Sequence, residues 1–354
     1  MKKCYLVSYN GLSNIGGVER VCYYLNKIVC QKGFEVKVVD KLAIENYWIS
    51  RIITLLTGRV PLLLSCLLSS LYIIQRKRKG DLVITNGFNC PLVHADMLFM
   101  HGTMKGHNTA IGLKESFRSN IPILFEKWAV MRAKNLICVS ECALEEVRKY
   151  YRHKMNNCCV VNNMVDESIY FPIKKSFNNI LNIVYCGRVE KRKGMDKLLA
   201  LTSYIDKNKV PARLLIAANN NLNIAVLSER KCVEIHVGLE HHQLNDFYNK
   251  GDVMYFPSMY EGFEMVTLEA LSAGVPVLGN HVGAVAEIFD RKEPGVDIIS
   301  SPENPKKILQ QLKQLADYHH VFDKRMMLHN YYAEHYGIDA YMKKLNNVFS
   351  QITK

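Results

Sequence analysis

Short apolar runs recur along the chain, and between them apolar residues return at every third or fourth position. Buried parallel strands show the first pattern, and helices with one buried face show the second. The apolar runs occupy residues 4–8, 33–39, 81–86, 97–100, 136–140, 181–186, 213–218 and 253–256. We therefore predict an α/β protein in which helices cover parallel sheets.

The spacing of these runs and the length of the chain predict two domains. At 354 residues, the chain exceeds the size at which a single core usually stops growing. Polar residues at 174–179 interrupt the pattern, and a strand restarts it soon afterwards. We predict a first domain over residues 1–172, a second over residues 178–331, and a basic amphipathic helix over residues 332–354.

The stretch from residue 257 to 279 contains the strongest candidate for a ligand site. Pro257 ends a strand, the following loop carries Glu261, and a helix over residues 265–273 carries Glu269. The N–H groups at a helix start attract a diphosphate, and the two carboxylates can accept hydrogen bonds from sugar hydroxyls. By spacing alone, two solvated glutamates on a strand–loop–helix unit remain the simpler interpretation.

Three other candidates follow predicted strands. Gly16 and Gly17 let backbone N–H groups approach an anion, although tight turns use such pairs for structure alone. Arg188 and Lys193 can bind phosphate oxygens, although a solvated surface turn has the same composition. His101 lies at the edge where open α/β sheets bind ligands, although a lone histidine is usually structural.

Together these segments resemble the signature of family 4 (group 1) retaining glycosyltransferases of the GT-B fold, bacterial surface-polysaccharide type. The family's serine-rich loop, E-G-F motif, second glutamate and following turn are matched by Ser258, Glu261, Gly262, Phe263, Glu269, Ala273, Gly274, Pro276 and Val277. Its G-G-x-E-R and G-R-x-x-x-x-K-G elements are matched at residues 16–20 and 187–194. The resemblance implies two Rossmann-like domains facing across a cleft, with the C-terminal helix crossing back to the first domain.

The resemblance also implies an activity and a role for each matched residue. A sugar would pass with retention from a nucleoside-diphosphate sugar, with UDP as the first choice, to a hydroxyl of a saccharide or lipid-linked saccharide. Such an enzyme is a hexosyltransferase of the EC 2.4 class that acts in cell-surface polysaccharide or lipopolysaccharide synthesis. The residues implied to be catalytic are Glu261, His101, Arg188 and Lys193. Those implied to bind the donor are Gly16, Gly17, Arg188, Lys193, Gly238, Leu239, Glu261, Gly262, Phe263, Met265, Val266 and Glu269.

Two features qualify this resemblance. No well-placed D-x-D motif is present, so no obligatory metal and no cofactor besides the donor is expected. Glu264 stands where relatives usually have glycine or proline. From the sequence, its carboxylate either alters the donor-sugar preference or points away from the site, and both interpretations stay open.

The formal net charge of +13 indicates an acidic partner. Residues 48–79 are apolar and then abruptly basic, ending in four consecutive cations at 76–79. The unbroken apolar part, residues 60–74, is shorter than the roughly 20 residues that span a bilayer. An interfacial helix on an anionic membrane and a buried core helix are equally consistent with this segment, and both can hold at once. The sequence has no zinc-finger spacing and no long arginine-rich arm, so we expect no nucleic-acid partner.

The remaining sequence features concern the compartment. Eleven scattered cysteines without zinc-site spacing favour reduced thiols. The first residues predict a strand rather than a signal peptide, because they lack a long apolar core. We expect a cytoplasmic protein, and residues 48–79 leave open a peripheral position on the inner face of the cytoplasmic membrane.

Two other functions also stay open at this point. A GT-B nucleotide-sugar epimerase would convert the donor sugar without an acceptor, and analysis of the products would separate it from a transferase. A catalytically silent basic protein would bind a membrane or nucleic acid and no nucleotide sugar. The joint presence of Arg188, Lys193, Glu261 and Glu269 argues against that second alternative.

Overall fold

The chain folds into two compact units, each described here by itself. The structure is a computed structural model that describes residues 2–12, 16–57, 60–114, 116–151, 157–175, 179–219 and 223–352. The first unit comprises residues 1–163 and 341–354, and the second comprises residues 164–340. The predicted linker at 174–179, of which residues 176–178 lie outside the described part, and the predicted helix start at residue 332 both fall within the second unit.

The first unit is built on a six-stranded parallel sheet. Its strands are β1 (Lys3–Val7), β2 (Glu35–Val39), β3 (Leu82–Asn86), β4 (Met97–Met100), β5 (Leu136–Cys138) and β6 (Cys158–Val160), in the order β2-β1-β3-β4-β5-β6. Its helices are α1 (Gly17–Gln31), α2 (Lys41–Glu45), α3 (Trp48–Thr57), α4 (Leu62–Ile74), α5 (Met104–Ala110), α6 (Phe117–Arg132) and α7 (Glu141–Tyr151). The sheet is a core layer because helices cover it, and all four residues of β4 are buried.

The second unit contains another six-stranded parallel sheet. Its strands are β7 (Leu181–Cys186), β8 (Ala212–Ala218), β9 (Val233–Val237), β10 (Val253–Phe256), β11 (Val277–Gly279) and β12 (Val296–Ile298), in the order β12-β11-β10-β7-β8-β9. Its helices are α8 (Met195–Asn208), α9 (Ile224–Ser228), α10 (Leu244–Lys250), α11 (Met265–Ser272), α12 (Gly283–Asp290), α13 (Pro305–His319) and α14 (Phe322–Tyr336). The predicted α/β class with two parallel sheets is confirmed.

The C-terminal segment forms two helices where the sequence predicted one. Helix α14 ends at Tyr336, and α15 (Ile338–Ile352) begins after Gly337. A side chain at Gly337 would place its Cβ 2.2 Å from the Ala333 carbonyl oxygen, so glycine permits the close approach at the break. From residue 341 the helix belongs to the first unit, where the Phe349 ring packs on a first-unit ring with centroids 6.4 Å apart.

The apolar segment before β3 forms the two helices α3 and α4. Leu68 and Ile73 of α4 join the core of the first unit with residues of β1 and β3, which confirms a core position for one face of α4. No helix in the described ranges is long and apolar enough to cross a membrane. All eleven cysteines are free thiols, as the sequence predicted.

Candidate functional site

The candidate site lies at the carboxyl edge of the second sheet, where the strand order reverses. From β7 the chain proceeds to β8 on one side, whereas β10 lies on the other side of β7. In open α/β sheets, ligands bind where the loops of two such strands diverge. The loop after β7 carries Arg188 and Lys193, and the loop after β10 carries Glu261.

Glu261 joins these two loops through its carboxylate. Lys193 Nζ and Ser258 Oγ each lie 2.5 Å from Glu261 Oε1, and Arg192 Nη1 lies 3.5 Å from the same oxygen. The side chains of Lys193 and Glu261 are only 15% and 10% exposed. Partial burial strengthens such an ion pair relative to one in water. The interpretation of Glu261 as a solvated glutamate is therefore wrong.

The basic turn is held by its own hydrogen bonds. Arg188 is 61% exposed and pairs with Glu190, 3.3 Å away. Arg192 is only 16% exposed, pairs with Glu190 and donates to the Tyr260 carbonyl at 2.8 Å. Arg192 is therefore not a solvated side chain, because its guanidinium bridges the two loops. Lys191 is exposed.

Gly194 explains why the two loops approach so closely. Its φ is +85°, a left-handed conformation that strains other residues. A Cβ at this position would lie 2.4 Å from the carbonyl oxygen of Pro257, the residue that follows β10. A glycine at 194 therefore allows Lys193 to reach Glu261.

Glu269 is also buried, but its surroundings differ. It lies in α11, is 4% exposed, and accepts a hydrogen bond from the Tyr248 hydroxyl at 3.0 Å. The solvated interpretation is wrong for this residue as well. Phe263 is 3% exposed and stacks on Tyr336 with ring centroids 6.1 Å apart, which fixes the segment before α11.

Glu264 has a role that the sequence left open. It is 8% exposed, and its carboxylate accepts the Thr267 hydroxyl at 2.6 Å and the backbone N–H of Ala284 at 2.9 Å. It therefore caps the start of α12 and does not point into solvent. Burial, with Glu261 nearby, raises the pKa of Glu264 to about 7. Gly283 leaves room for this carboxylate, because a Cβ at that position would lie 2.1 Å from Glu264 Oε2.

The other predicted donor residues lie along the same edge of this sheet. Gly262 is half-buried, and Met265 and Val266 form the first turn of α11. Gly238 and Leu239 follow β9, the edge strand two positions from β7. The structure thus places these residues in the loops after β9 and β10 and at the start of α11, and their contacts with a donor remain predictions.

The first unit holds the remaining predicted residues. Gly16 precedes α1 and Gly17 begins it, and the carbonyl of Gly16 accepts the Arg20 N–H at 2.9 Å. Residues 13–15 of the same turn lie outside the described part of the chain. His101 follows β4, and its Nε2 lies 3.0 Å from Asn86 Oδ1. Burial lowers the pKa of His101 to about 4. Roles for these three residues remain predictions.

A metal-binding group is not evident within the described ranges. There, no three His, Cys, Asp or Glu side chains lie together in a way that could hold a metal ion. The expectation that no metal is required remains a prediction.

Two family models match the chain, one in each unit. The model described as Glycosyltransferase Family 4 matches residues 15–169, and the model described as Glycosyl transferases group 1 matches residues 181–317. A glycogen synthase from Mycobacterium tuberculosis is 24% identical over 178 residues, which are 48% of this chain and 43% of that protein. The chain spans about half the length of the first curated relatives that it matches.

Solved structures similar to this chain cover nearly its whole length. Sucrose-phosphate synthase from Thermosynechococcus elongatus has a TM-score of 0.74 and 15% identity over 99% of each chain. WaaG, a glycosyltransferase involved in lipopolysaccharide biosynthesis, has a TM-score of 0.71 and 16% identity over 98% of this chain and 99% of its own. At such identities the likeness shows the fold, which is GT-B as predicted. With family models matched in both units, the chain belongs to the group 1 (family 4) glycosyltransferases.

Proposed function

We propose that the protein is a retaining glycosyltransferase that moves a sugar from a nucleoside-diphosphate sugar to a hydroxyl of a saccharide or lipid-linked saccharide. The observation that carries this proposal is the contact between Lys193 and Glu261 at the strand-order reversal of the second sheet. In this proposal the Lys193 cation would bind phosphate, and the adjacent Glu261 carboxylate would bind sugar hydroxyls. Family membership supports the reaction class.

The second unit supplies groups suited to each part of the donor. Arg188 and Lys193 would bind the diphosphate and stabilise the negative charge that grows on it as it leaves. Helix α11 begins shortly after Glu261, and the free N–H groups at its start would add to phosphate binding. Glu261 would accept hydrogen bonds from the sugar, and Glu269 would accept them from the ribose.

In the proposed step, the bond between the anomeric carbon and the diphosphate oxygen breaks first. The acceptor oxygen then forms its bond to the anomeric carbon on the same face, through an oxocarbenium-like state. The acceptor proton passes to an oxygen of the leaving diphosphate, so atoms and charge balance without a protein nucleophile. Lys193 Nζ lies 2.5 Å from Glu261 Oε1, so the two side chains would hold the leaving diphosphate next to the sugar.

UDP as the base and a surface polysaccharide or lipopolysaccharide as the product are further parts of this proposal. The family resemblance supports UDP, and the fold shared with WaaG, involved in lipopolysaccharide biosynthesis, supports the second. Donor binding by Gly16 and Gly17 and a catalytic role for His101 are also parts of the proposal.

The proposal is tested by a thermal-shift screen against UDP, GDP, ADP and their common sugars. A nucleotide that binds the folded state raises the melting temperature. We expect selective stabilisation by one nucleotide, lost in Glu269→Ala and retained in Glu303→Ala, a control glutamate of the same unit that is 85% exposed. With that donor, Glu261→Ala should mainly impair transfer. Stabilisation by no nucleotide would contradict the proposal, and conversion of the donor sugar without an acceptor would indicate the epimerase instead.

A further inference from the structure

Exposed apolar side chains are concentrated on α3 and α4 of the first unit. Those between residues 48 and 74 are Trp48, Ile52, Leu55, Leu56, Leu62, Leu71 and Ile74. Leu55 and Leu56 are 87% and 78% exposed. Large exposed apolar patches are rare on soluble proteins and usually mark an interaction site.

Helix α3 has two distinct faces. Ile49 and Ile53 pack against the core, and Ser50 is fully buried. Trp48, Ile52 and Leu55 recur at helical spacing on the opposite, exposed face. Both faces are therefore largely apolar, and the outer one is exposed apart from the contact between the Trp48 and Tyr47 rings, whose centroids lie 6.1 Å apart.

The charged residues in and around these helices are all basic. Residues 46–80 include six basic residues and no acidic residue. A protein partner of mixed charge would not require a surface without acidic residues, whereas an anionic partner would favour a surface with basic residues only. The tryptophan at the start of α3 suits the boundary between apolar and polar layers.

A basic pocket of about 360 Å³ lies next to the end of α4. Its charged lining consists of Lys2, Lys77, Arg78, Lys79, Lys134, Asp81 and Asp96. The two acids are occupied by other donors. Asp81 accepts the N–H groups of Lys3 and Arg78 at 2.8 and 2.9 Å. Asp96 accepts the N–H of Val83 and pairs with Lys77 and Lys134. In the described part of the chain, no ion pair involves the side chains of Lys2, Arg78 or Lys79.

The apolar face and the basic pocket are neighbours. The Tyr47 hydroxyl, one residue before α3, donates to Gln75 Oε1 at 2.7 Å, which places the start of α3 beside the turn that follows α4. In the same turn, the Arg76 guanidinium lies 4.0 Å from the centre of the Tyr72 ring. Arg78 and Lys79 follow directly. Arg76 and Lys77 therefore hold this turn together, while Arg78 and Lys79 extend from it.

We propose that this surface docks on an anionic lipid bilayer, with the outer face of α3 and the end of α4 in the interface and with Lys2, Arg78 and Lys79 binding head-group phosphates. A helix lying in the interface buries apolar side chains, and adjacent cations add attraction to anionic lipid. The proposal adds to sugar transfer a position at the membrane, which would present the enzyme to a lipid-linked acceptor. It also narrows the predicted segment at 48–79 to the outer face of α3, the end of α4 and the cations that follow.

The test is sedimentation of the full chain with vesicles of equal parts phosphatidylglycerol and phosphatidylcholine, compared with phosphatidylcholine alone. The wild type should sediment with the anionic vesicles. Leu55→Ser with Leu56→Ser should lower the partition coefficient about tenfold or more. Arg78→Ser with Lys79→Ser should lower it about 20-fold, with a smaller difference at high salt.

Matched controls separate this surface from general charge and from other apolar side chains. Lys306→Ser with Lys307→Ser makes the same charge change on exposed residues of α13 and should leave binding unchanged. Phe117→Ser removes another exposed ring of the first unit, 84% exposed on α6, and should have little effect. Melting temperatures are compared first, and Leu55→Gln with Leu56→Gln replaces the serine pair if that pair unfolds.

Unchanged binding in either α3 or basic-pair variant would overturn the proposal, as would a loss caused by Phe117→Ser alone. Nucleotide-induced thermal shifts are measured on the same variants. If docking fails while the nucleotide still stabilises the protein, the membrane surface is wrong and the proposed sugar transfer is unaffected.

Discussion

The carboxyl edges of the two sheets hold their polar side chains in different ways. In the second unit, Lys193 and Glu261 come from loops after different strands and meet in a half-buried ion pair. In the first unit, His101 is half-buried and lies against the neutral amide of Asn86. Lysine and glutamate are residue types that already suggest a binding site in the sequence, and their contact holds the two loops together. The neutral contact with Asn86 holds the His101 ring, and a single histidine in the sequence predicts little about its role.

The largest expected effect comes from removing the cation of the second edge. Lys193→Ala should lower kcat/KM roughly 100- to 1,000-fold, because the proposed site would lose one positive charge for the leaving diphosphate. Steady-state transfer with the donor identified by thermal shift measures this change. Lys191→Ala, an exposed lysine of the same turn, is the control. Equal losses in both variants would show that only the general charge of the turn matters.

The next effect tests the close approach of the two loops. Gly194→Ala should destabilise the protein by about 2–4 kcal/mol and weaken nucleotide binding, because backbone strain adds to a clash with Pro257. Gly33 has nearly the same φ, +82° against +85°, but its Cβ would meet nothing within 4 Å. Gly33→Ala should therefore cost about 1 kcal/mol only. Urea unfolding compares the two, and similar losses would mean that the Pro257 contact relaxes freely.

A smaller effect concerns two buried carboxyls with raised pKa values, one from each unit. Burial raises the pKa values of Glu264 and Glu126 from 4.5 to about 7. Each carboxyl thus favours folding when protonated, a contribution that is complete below about pH 4.5 and lost as the pH rises through about 7. Glu264→Gln and Glu126→Gln should each flatten the fall in stability between pH 5 and 7, by up to roughly 1.4 kcal/mol per pH unit.

Nucleotide affinity distinguishes these two carboxyls. Glu264 lies three residues from Glu261 at the start of α11, so its ionised form should repel a diphosphate there. Titration calorimetry at pH 5.5 and 8 should show affinity falling with pH in the wild type and in Glu126→Gln, and a flatter dependence in Glu264→Gln. The same dependence in all three proteins would mean that the proton on Glu264 does not reach the donor.

The sequence predicted the second edge better than the first for physical reasons. The positions of glycines and charged residues predicted the Lys193 turn and the Glu261 loop. The recurring apolar runs predicted the sheet. The roles of Glu264 and Arg192 depend on contacts with residues far along the chain, Ala284 and Tyr260, which no local pattern contains. The break at Gly337 and the exposed face of α3 likewise depend on what packs where. Local periodicity specifies elements, and long-range packing decides which of their faces are covered.

The smallest expected effect concerns His101, whose protonation state follows from its surroundings. The Asn86 amide donates to the Val7 carbonyl at 2.8 Å, so its oxygen faces His101, and Nε2 of the ring carries the hydrogen. Because burial lowers the pKa of His101 to about 4, the ring stays neutral at any pH above about 5. His101→Gln should lower transfer by about tenfold or less while leaving the shape of the pH–rate profile between pH 5.5 and 8 unchanged. A step near pH 6.5 in the wild type that disappears in this variant would show an ordinary, titrating histidine, and the contrast between a charged and a neutral edge would then fail.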